Sequence, residues 1–250
     1  YMYIGPQGIV HGTTITVLNA SRKQGGSPAG KLFITAGLGG MSGAQPKAGN
    51  IAGVVSVVAE INPLAAKKRY DQGWVDELHD NLDELIPAIK RSVMEKRTVS
   101  MAYVGNVVDR WERLADEGVH VDIGSDQTSL HNPWAGGYYP ADLTLEESKT
   151  MMAENPDEFR KHVQASLCRQ VAAINRLAAN GMYFFDYGNS FLKAVYDPGV
   201  KHNCKHGHNA LDGVLLPSYV EDILGPCPLD CGPGTFRWCR PSRYPAERHK

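Results

Sequence analysis

Nowhere in this 250-residue sequence do apolar residues run for the roughly 20 positions that a bilayer-spanning helix needs. Charge of one sign is not in excess either: 26 Lys and Arg stand against 27 Asp and Glu, a net charge of −1. That balance offers no electrostatic footprint for nucleic acid or an anionic membrane surface, so neither is expected as a partner. Cysteine is scarce and unevenly spread. Of five, only Cys168 lies in the main body, while Cys204, Cys227, Cys231 and Cys239 crowd into the last fifth. This is not the pattern of a secreted disulfide scaffold, and a reducing cytoplasm is the expected compartment. A signal-peptide pattern is missing, and the sequence opens on Tyr1 and not on Met, so a piece of a longer protein is expected.

What is present reads as an ordinary globular chain. Hydrophobic residues make up 42% and charged residues 21%, enough for one large domain or two small ones with a sizeable core. Strand-length apolar runs alternate with helix-like segments. LFITAG (32–37), VVSVVAE (54–60), TVSMAYVGN (98–106), VHVDIGSDQTS (119–129) and MYFFDYGNS (182–190) read as strands. AGNIAG (48–53) reads as a short helix, residues 75–96 as a longer one, and 107–118 as a third that closes at Gly118. After a loop at 131–141, Thr144 is placed as the N-cap of a long helix ending at Gly181. Such alternation implies parallel βαβ units: an α/β, doubly wound, mostly parallel sheet of Rossmann-like type. From about 198 the texture becomes irregular, with many Gly, Pro, His and Cys.

The segment FITAGLGGMSGAQPKAGN (33–50) places five glycines among residues 37–49, directly after the first strand. Glycine allows a tight turn with positive φ and lets backbone N–H groups approach a diphosphate at a helix N-terminus. A dinucleotide fold also wants a carboxylate at the tip of the second strand to hold the ribose hydroxyls, and Glu60 stands there. That acid would repel a 2′-phosphate, favouring NAD over NADP. The spacing departs from GxGxxG: counted from Gly37, the third glycine falls at Ser42, and Gly43 comes one place late.

Five longer segments carry a resemblance. YIGPQGIVHGT (3–13), TAGLGGMSGAQP (35–46), DQTSLHNP (126–133), GYYPA (137–141) and FDYGN (185–189) resemble the urocanase family in order and spacing. The likeness covers roughly residues 1–190 and returns weakly at PSYVEDILG (217–225) and FRW (236–238). It implies a Rossmann-like NAD domain over 31–197, a border segment of the family's larger core over 1–30, and an irregular border or tail over 198–250. It further implies tightly held NAD+ acting as an electrophile while water adds to urocanate, giving imidazolonepropionate in histidine degradation. The full enzyme would be a cytoplasmic homodimer.

Residue by residue, the resemblance assigns cofactor contacts to Gly40, Met41, Ser42, Glu60, Asn106, Val107, Gln127, Thr128, Ser129, Leu130, His131, Tyr138, Tyr139 and Tyr187. Where the family has an Arg five places after the ribose acid, this chain has Ala65; Lys67, Lys68 or Arg69 are the candidate replacements. The family's catalytic cysteine lies downstream of FRW, beyond Lys250, so no cysteine here is assigned that role. Arg237 could clamp the substrate carboxylate, since a guanidinium reads a carboxylate bidentately. His131 and Asp126 could serve proton transfer during water addition, although Asp126 suits strand-end hydrogen bonding better. His202, Cys204, His206 and His208 do not match structural zinc spacings and are read as a solvated loop, with no metal. The acidic residues Asp76, Glu77, Asp80, Asp83 and Glu84 are read as one solvated helix face. Two alternatives stay open: an ordinary NAD-dependent dehydrogenase, and a non-catalytic NAD-binding module.

Overall fold

The computed structural model describes residues 5–126 and 132–187, together with Phe191 and Ala194. Helix α1 (Pro6–Lys23) leads into β1 (Leu32–Ala36), and a 3₁₀ turn (Ser42–Ala44) runs into α2 (Gln45–Ala52). Then come β2 (Val55–Glu60), α3 (Pro63–Asp71), β3 (Glu77–His79), α4 (Leu82–Met94), β4 (Val99–Val104) and α5 (Val107–Asp116). The described chain continues with β5 (Ile123–Asp126), α6 (Leu145–Glu154), α7 (Pro156–Ala179) and β6 (Tyr183–Asp186).

The six strands form one sheet in the order β3-β4-β2-β1-β5-β6, and every pairing is parallel. Strands β1, β2 and β4 are buried on both faces, which is why they read as continuous apolar runs and not as alternating ones. Along β1 and β2, Leu32, Ile34, Val55 and Val57 face a core shared with α4, α5 and α7. Phe33 and Ile123 turn the other way, toward Val17 and Ala20 of α1. Leu38, Val58 and Ala102 pack with Ala66 of α3. Helices therefore cover both faces, as in a doubly wound Rossmann-like fold. Strand order reverses at β1, the switch point outside whose carboxyl end ligands bind in such sheets.

Several elements differ from the sequence reading. The single helix expected over 75–96 is a short edge strand followed by α4. The Asp76 carboxylate accepts from the Ser100 amide (2.8 Å) and hydroxyl (2.9 Å), which pins this stretch to β4. Asn81 then caps α4 by accepting from the Asp83 amide at 2.8 Å. The acidic residues are thus not one solvated helix face, because Asp76 and Glu77 precede the helix and the Glu77 carboxylate pairs with Arg97. The long helix expected from Thr144 is two helices broken at Asn155-Pro156, since proline disfavours helical backbone in the residue before it. Thr144 is the N-cap expected, completing a reciprocal capping box with Glu147. Strand β5 covers four residues of the longer span expected.

Two helices went unread. Helix α1 carries Gly8, Gly12 and several Thr, all weak helix formers. The Thr14 and Thr16 hydroxyls donate back to the Val10 (2.8 Å) and Gly12 (2.9 Å) carbonyls. Helix α3 buries Ala66 alone, so it shows no apolar periodicity. Among the described residues no helix is long and apolar enough to cross a membrane.

Candidate functional site

The carboxyl ends of β1, β2 and β4 open into one crevice. Its wall includes Gly37, Gly39 and Ser42 from the turn after β1, Glu60 and Ile61 after β2, Asn106 and Val107 after β4, and Gly136–Tyr139 from the loop before α6. Six of the residues assigned to a cofactor from sequence lie on it: Ser42, Glu60, Asn106, Val107, Tyr138 and Tyr139.

The turn is built from backbone. Gly37 has φ +88°, a conformation that side chains rarely adopt, and its amide donates to the Ala59 carbonyl of β2 at 2.8 Å. Leu38 then buries its side chain completely, anchoring the turn in the α3 cluster. The Leu38 amide donates to Glu60 Oε2 at 2.7 Å. Its carbonyl and that of Gly39 accept from Arg69, Nε at 3.1 Å and Nη2 at 2.6 Å. The first helical donor is Gly43, bonded to the Gly39 carbonyl at 3.1 Å. The amides of Gly40, Met41 and Ser42 therefore stand at the open end of a helical stretch, where no preceding turn supplies carbonyls. Gly39, Gly40 and Met41 are exposed. A side chain at Gly40 would meet nothing within 4 Å, so large groups can approach the backbone there.

Glu60 ends β2 half-buried. Besides the Leu38 amide, its Oε1 accepts from Asn62 at 2.9 Å, so each carboxylate oxygen already holds one backbone N–H. A carboxylate has about four acceptor positions, which leaves capacity for hydroxyl donors from the crevice. Asn106 is engaged in the same way. Its Oδ1 accepts from the Val108 amide (2.9 Å), capping α5, and its Nδ2 donates to the Tyr139 (2.9 Å) and Pro140 (3.0 Å) carbonyls. It thereby fixes the 136–140 wall to the end of β4.

Beneath the crevice runs a buried polar layer, of which the sequence reading named only Asp126 and Tyr138. The Ser125 hydroxyl donates to Thr35 (3.0 Å), Thr35 to Gln45 Oε1 (2.5 Å), and Gln45 Nε2 to the Ala36 carbonyl (2.9 Å). Burial pushes the Tyr138 hydroxyl well above its ordinary pKa, so it stays protonated and donates to Gln170 at 2.8 Å. Gln170 in turn donates to Asp126 at 2.7 Å. This is the strand-end hydrogen bonding preferred for Asp126. Arg110, a fully buried residue of α5, donates to the carbonyls of Thr35, near the end of β1, and Val57, in the middle of β2. Burial lowers its pKa to about 9, with Asp126 opposing the shift, so it remains a cation at neutral pH. No apolar periodicity reports such residues; only tertiary packing brings them together.

Other assigned residues fall elsewhere. Gly40 and Met41 flank the crevice on its turn, with Met41 58% exposed. Tyr187 follows β6 and packs on Phe185, ring centroids 5.4 Å apart, in the cluster under α1. Gln127, Thr128, Ser129, Leu130, His131, Arg237 and the 202–208 His/Cys group lie outside the described residues. Among the described residues no cluster of His, Cys, Asp and Glu is arranged to hold a metal. Ala65 stands where the resemblance leads one to expect an arginine, and of the nearby basic residues it is Arg69 that reaches the turn.

Comparison with known proteins agrees with the Rossmann-like fold. A sequence model described as the urocanase Rossmann-like domain matches residues 5–223. A probable urocanate hydratase of Caenorhabditis elegans is 53% identical over 249 residues, covering 99% of this chain and 37% of that protein. A probable urocanate hydratase of Dictyostelium discoideum is 50% identical over 250 residues, and the human urocanate hydratase 48% over 254, with the same coverage of each chain. This chain thus spans 37% of the length of the relatives it matches.

Proposed function

Since the chain belongs to the urocanase family through its Rossmann-like domain, we propose that the crevice at the ends of β1, β2 and β4 holds NAD+ for a urocanate hydratase. The single observation that carries this reading is the state of the turn. The carbonyls of Leu38 and Gly39 are tied back to Arg69, while the amides of residues 40–42 precede the first helical hydrogen bond. Such a turn offers donors and withholds acceptors, which suits a diphosphate.

The residues present fit the cofactor. Gly40, Met41 and Ser42 cradle the diphosphate through backbone. Glu60 receives ribose hydroxyls and disfavours a 2′-phosphate. Asn106 and Val107 hold the middle of the crevice, and Tyr138 and Tyr139 form part of its wall, the Tyr138 hydroxyl held by Gln170 and the Tyr139 backbone by Asn106. The resemblance adds Gln127, Thr128, Ser129, Leu130, His131 and Tyr187 to the contact set, Tyr187 lying beyond the crevice wall in the cluster under α1. Bound there, NAD+ supplies an electrophilic ring that activates urocanate toward addition of water. Arg237 is assigned to the carboxylate of urocanate, and the whole enzyme is a cytoplasmic homodimer.

Because this chain covers 37% of its relatives' length, nucleotide binding is assigned to it and hydration to the longer protein. Segments 1–30 and 198–250 are its borders with the rest of the enzyme. Purified without added nucleotide, the 250-residue chain should carry NAD+, identified by mass and ultraviolet spectrum after acid release. It should consume urocanate slowly or not at all. Absence of bound NAD+ together with no binding on titration refutes the assignment. NADH production from an alcohol or hydroxy acid would instead make it an ordinary dehydrogenase.

A further inference from the structure

Gly43 is the residue that breaks the expected glycine spacing, and the space above it is filled by a neighbouring helix. A Cβ at position 43 would stand 2.2 Å from Arg69 Nε and 2.7 Å from its Cζ and Nη2. No side chain other than hydrogen leaves room for that guanidinium. Arg69, on α3, is held there from every side. One edge of its fork donates to the Leu38 and Gly39 carbonyls, Nη1 donates to Gln72 Oε1 at 2.8 Å, and its Cζ lies 5.1 Å from the centre of the Trp74 ring.

We propose that Arg69 is a positioning residue for the phosphate turn, and that residue 43 is glycine in order to seat its guanidinium. The inference rests on the nucleotide reading above and concerns how the turn is aimed. In a planar trans peptide the C=O and the following N–H point in opposite directions. Pinning the Gly39 carbonyl to Arg69 therefore turns the Gly40 amide away from α3, and pinning the Leu38 carbonyl does the same for the Gly39 amide. Glu60 holds the remaining polar group of Leu38. An acid and a base from one segment, residues 60–69, thus fix the two sides of a single turn residue. Arg69 does not line the crevice, so it acts through the backbone. Lysine would be a poor substitute, because a single ammonium cannot present a planar fork to two adjacent carbonyls.

The test is a double-mutant cycle in the 250-residue chain, with the NAD+ dissociation constant read by calorimetry. Gly43→Ala should displace a flexible side-chain end and leave the fold intact, which the melting temperature checks. Arg69→Met and Gly43→Ala should each weaken NAD+ binding roughly tenfold, the scale of losing hydrogen bonds to a charged donor. The double variant should bind no more weakly than Arg69→Met alone, because the added methyl then enters space the guanidinium has left. Arg69→Lys should fall between wild type and Arg69→Met, and it carries the test if Arg69→Met does not fold. Additive losses in the double variant, or wild-type affinity in Arg69→Met, overturn the proposal. Should the wild-type chain bind no NAD+, the nucleotide reading fails, yet amide hydrogen exchange still decides on the clamp. Both single variants must then speed exchange at residues 38–42 by the same factor as the double, and unchanged exchange overturns it.

Discussion

Replacing Glu60 with Gln keeps the shape of the side chain and removes one acceptor, so the outcome isolates what the second oxygen does. In the folded chain Oε2 accepts from Leu38 at 2.7 Å and Oε1 from Asn62 at 2.9 Å. A glutamine amide can satisfy either N–H, never both, and whichever way it turns its NH₂ faces a backbone donor. One charge-assisted hydrogen bond is lost and one backbone donor is left unmade, a loss of about 1.5–3 kcal/mol. Glu60 is half-buried and water reaches part of the site, so the lower end applies. For a chain of this length about 1.5 kcal/mol lowers the melting temperature by roughly 3–6 °C. Differential scanning calorimetry on wild type and Glu60→Gln, each with and without excess NAD+, reads this directly. The cofactor should also raise the variant's melting temperature by less than it raises that of wild type, because ligand stabilisation follows affinity. A variant that melts within a degree of wild type and gains as much from NAD+ would refute both the clamp on Leu38 and the ribose role.

Gly40→Val should fold normally, since open space surrounds that position, yet lose nucleotide affinity by at least about tenfold as its branched side chain blocks the diphosphate; equal NAD+ content in wild type and variant contradicts the placement. Asn106→Ala removes the cap on α5 and two contacts to the 139–140 backbone, costing about 2–3 kcal/mol in stability by chemical denaturation. A loss below 0.5 kcal/mol, the size of an ordinary surface change, would deny it that bracing role. NAD+ should bind more tightly than NADP+, and Glu60→Gln should narrow the ratio; equal wild-type affinities for the two would remove the specificity argument.

The sheet was legible because its strands are buried on both faces and so stand out as unbroken apolar runs such as LFITA and VSVVAE. Boundaries failed where polar side chains and proline outvote periodicity. Asp76 ties its segment to β4 as an edge strand although the apolar spacing of 75–96 is helical, and Pro156 divides an otherwise continuous helical pattern. Within the site, the glycine turn and Glu60 were picked out by residue type and position at strand ends, and Asn106 by the family resemblance. Their hydrogen-bond partners were not. Glu60 was read as a ligand for ribose, and nothing in the sequence reports that both its oxygens already hold backbone. Arg110 and Gln170 sit among apolar neighbours at helical spacing and Gln45 in a run of small residues, and only the folded arrangement gathers them under the crevice.

The division of labour at the crevice explains how Ser42 can stand where the glycine pattern wants no side chain. Glu60 and Asn106 direct their polar atoms at main chain, at Leu38 and Asn62 and at Val108 and the 139–140 loop, and Arg69 directs Nε and Nη2 at the Leu38 and Gly39 carbonyls. What meets a ligand at the turn is then mostly amide, and amides do not depend on the identity of the residue that carries them. Ser42 is buried, with its hydroxyl 3.8 Å from where a Cβ on Gly39 would stand, so its side chain points back into the turn and not into the approach at Gly40. A site that binds through backbone fixed in advance avoids ordering losses on binding, and its sensitivity moves to the residues behind it. Substitutions at Met41 or Ser42 that keep the backbone should therefore be tolerated better than substitutions at Arg69, Gly43 or Asn106, none of which the glycine motif itself marks.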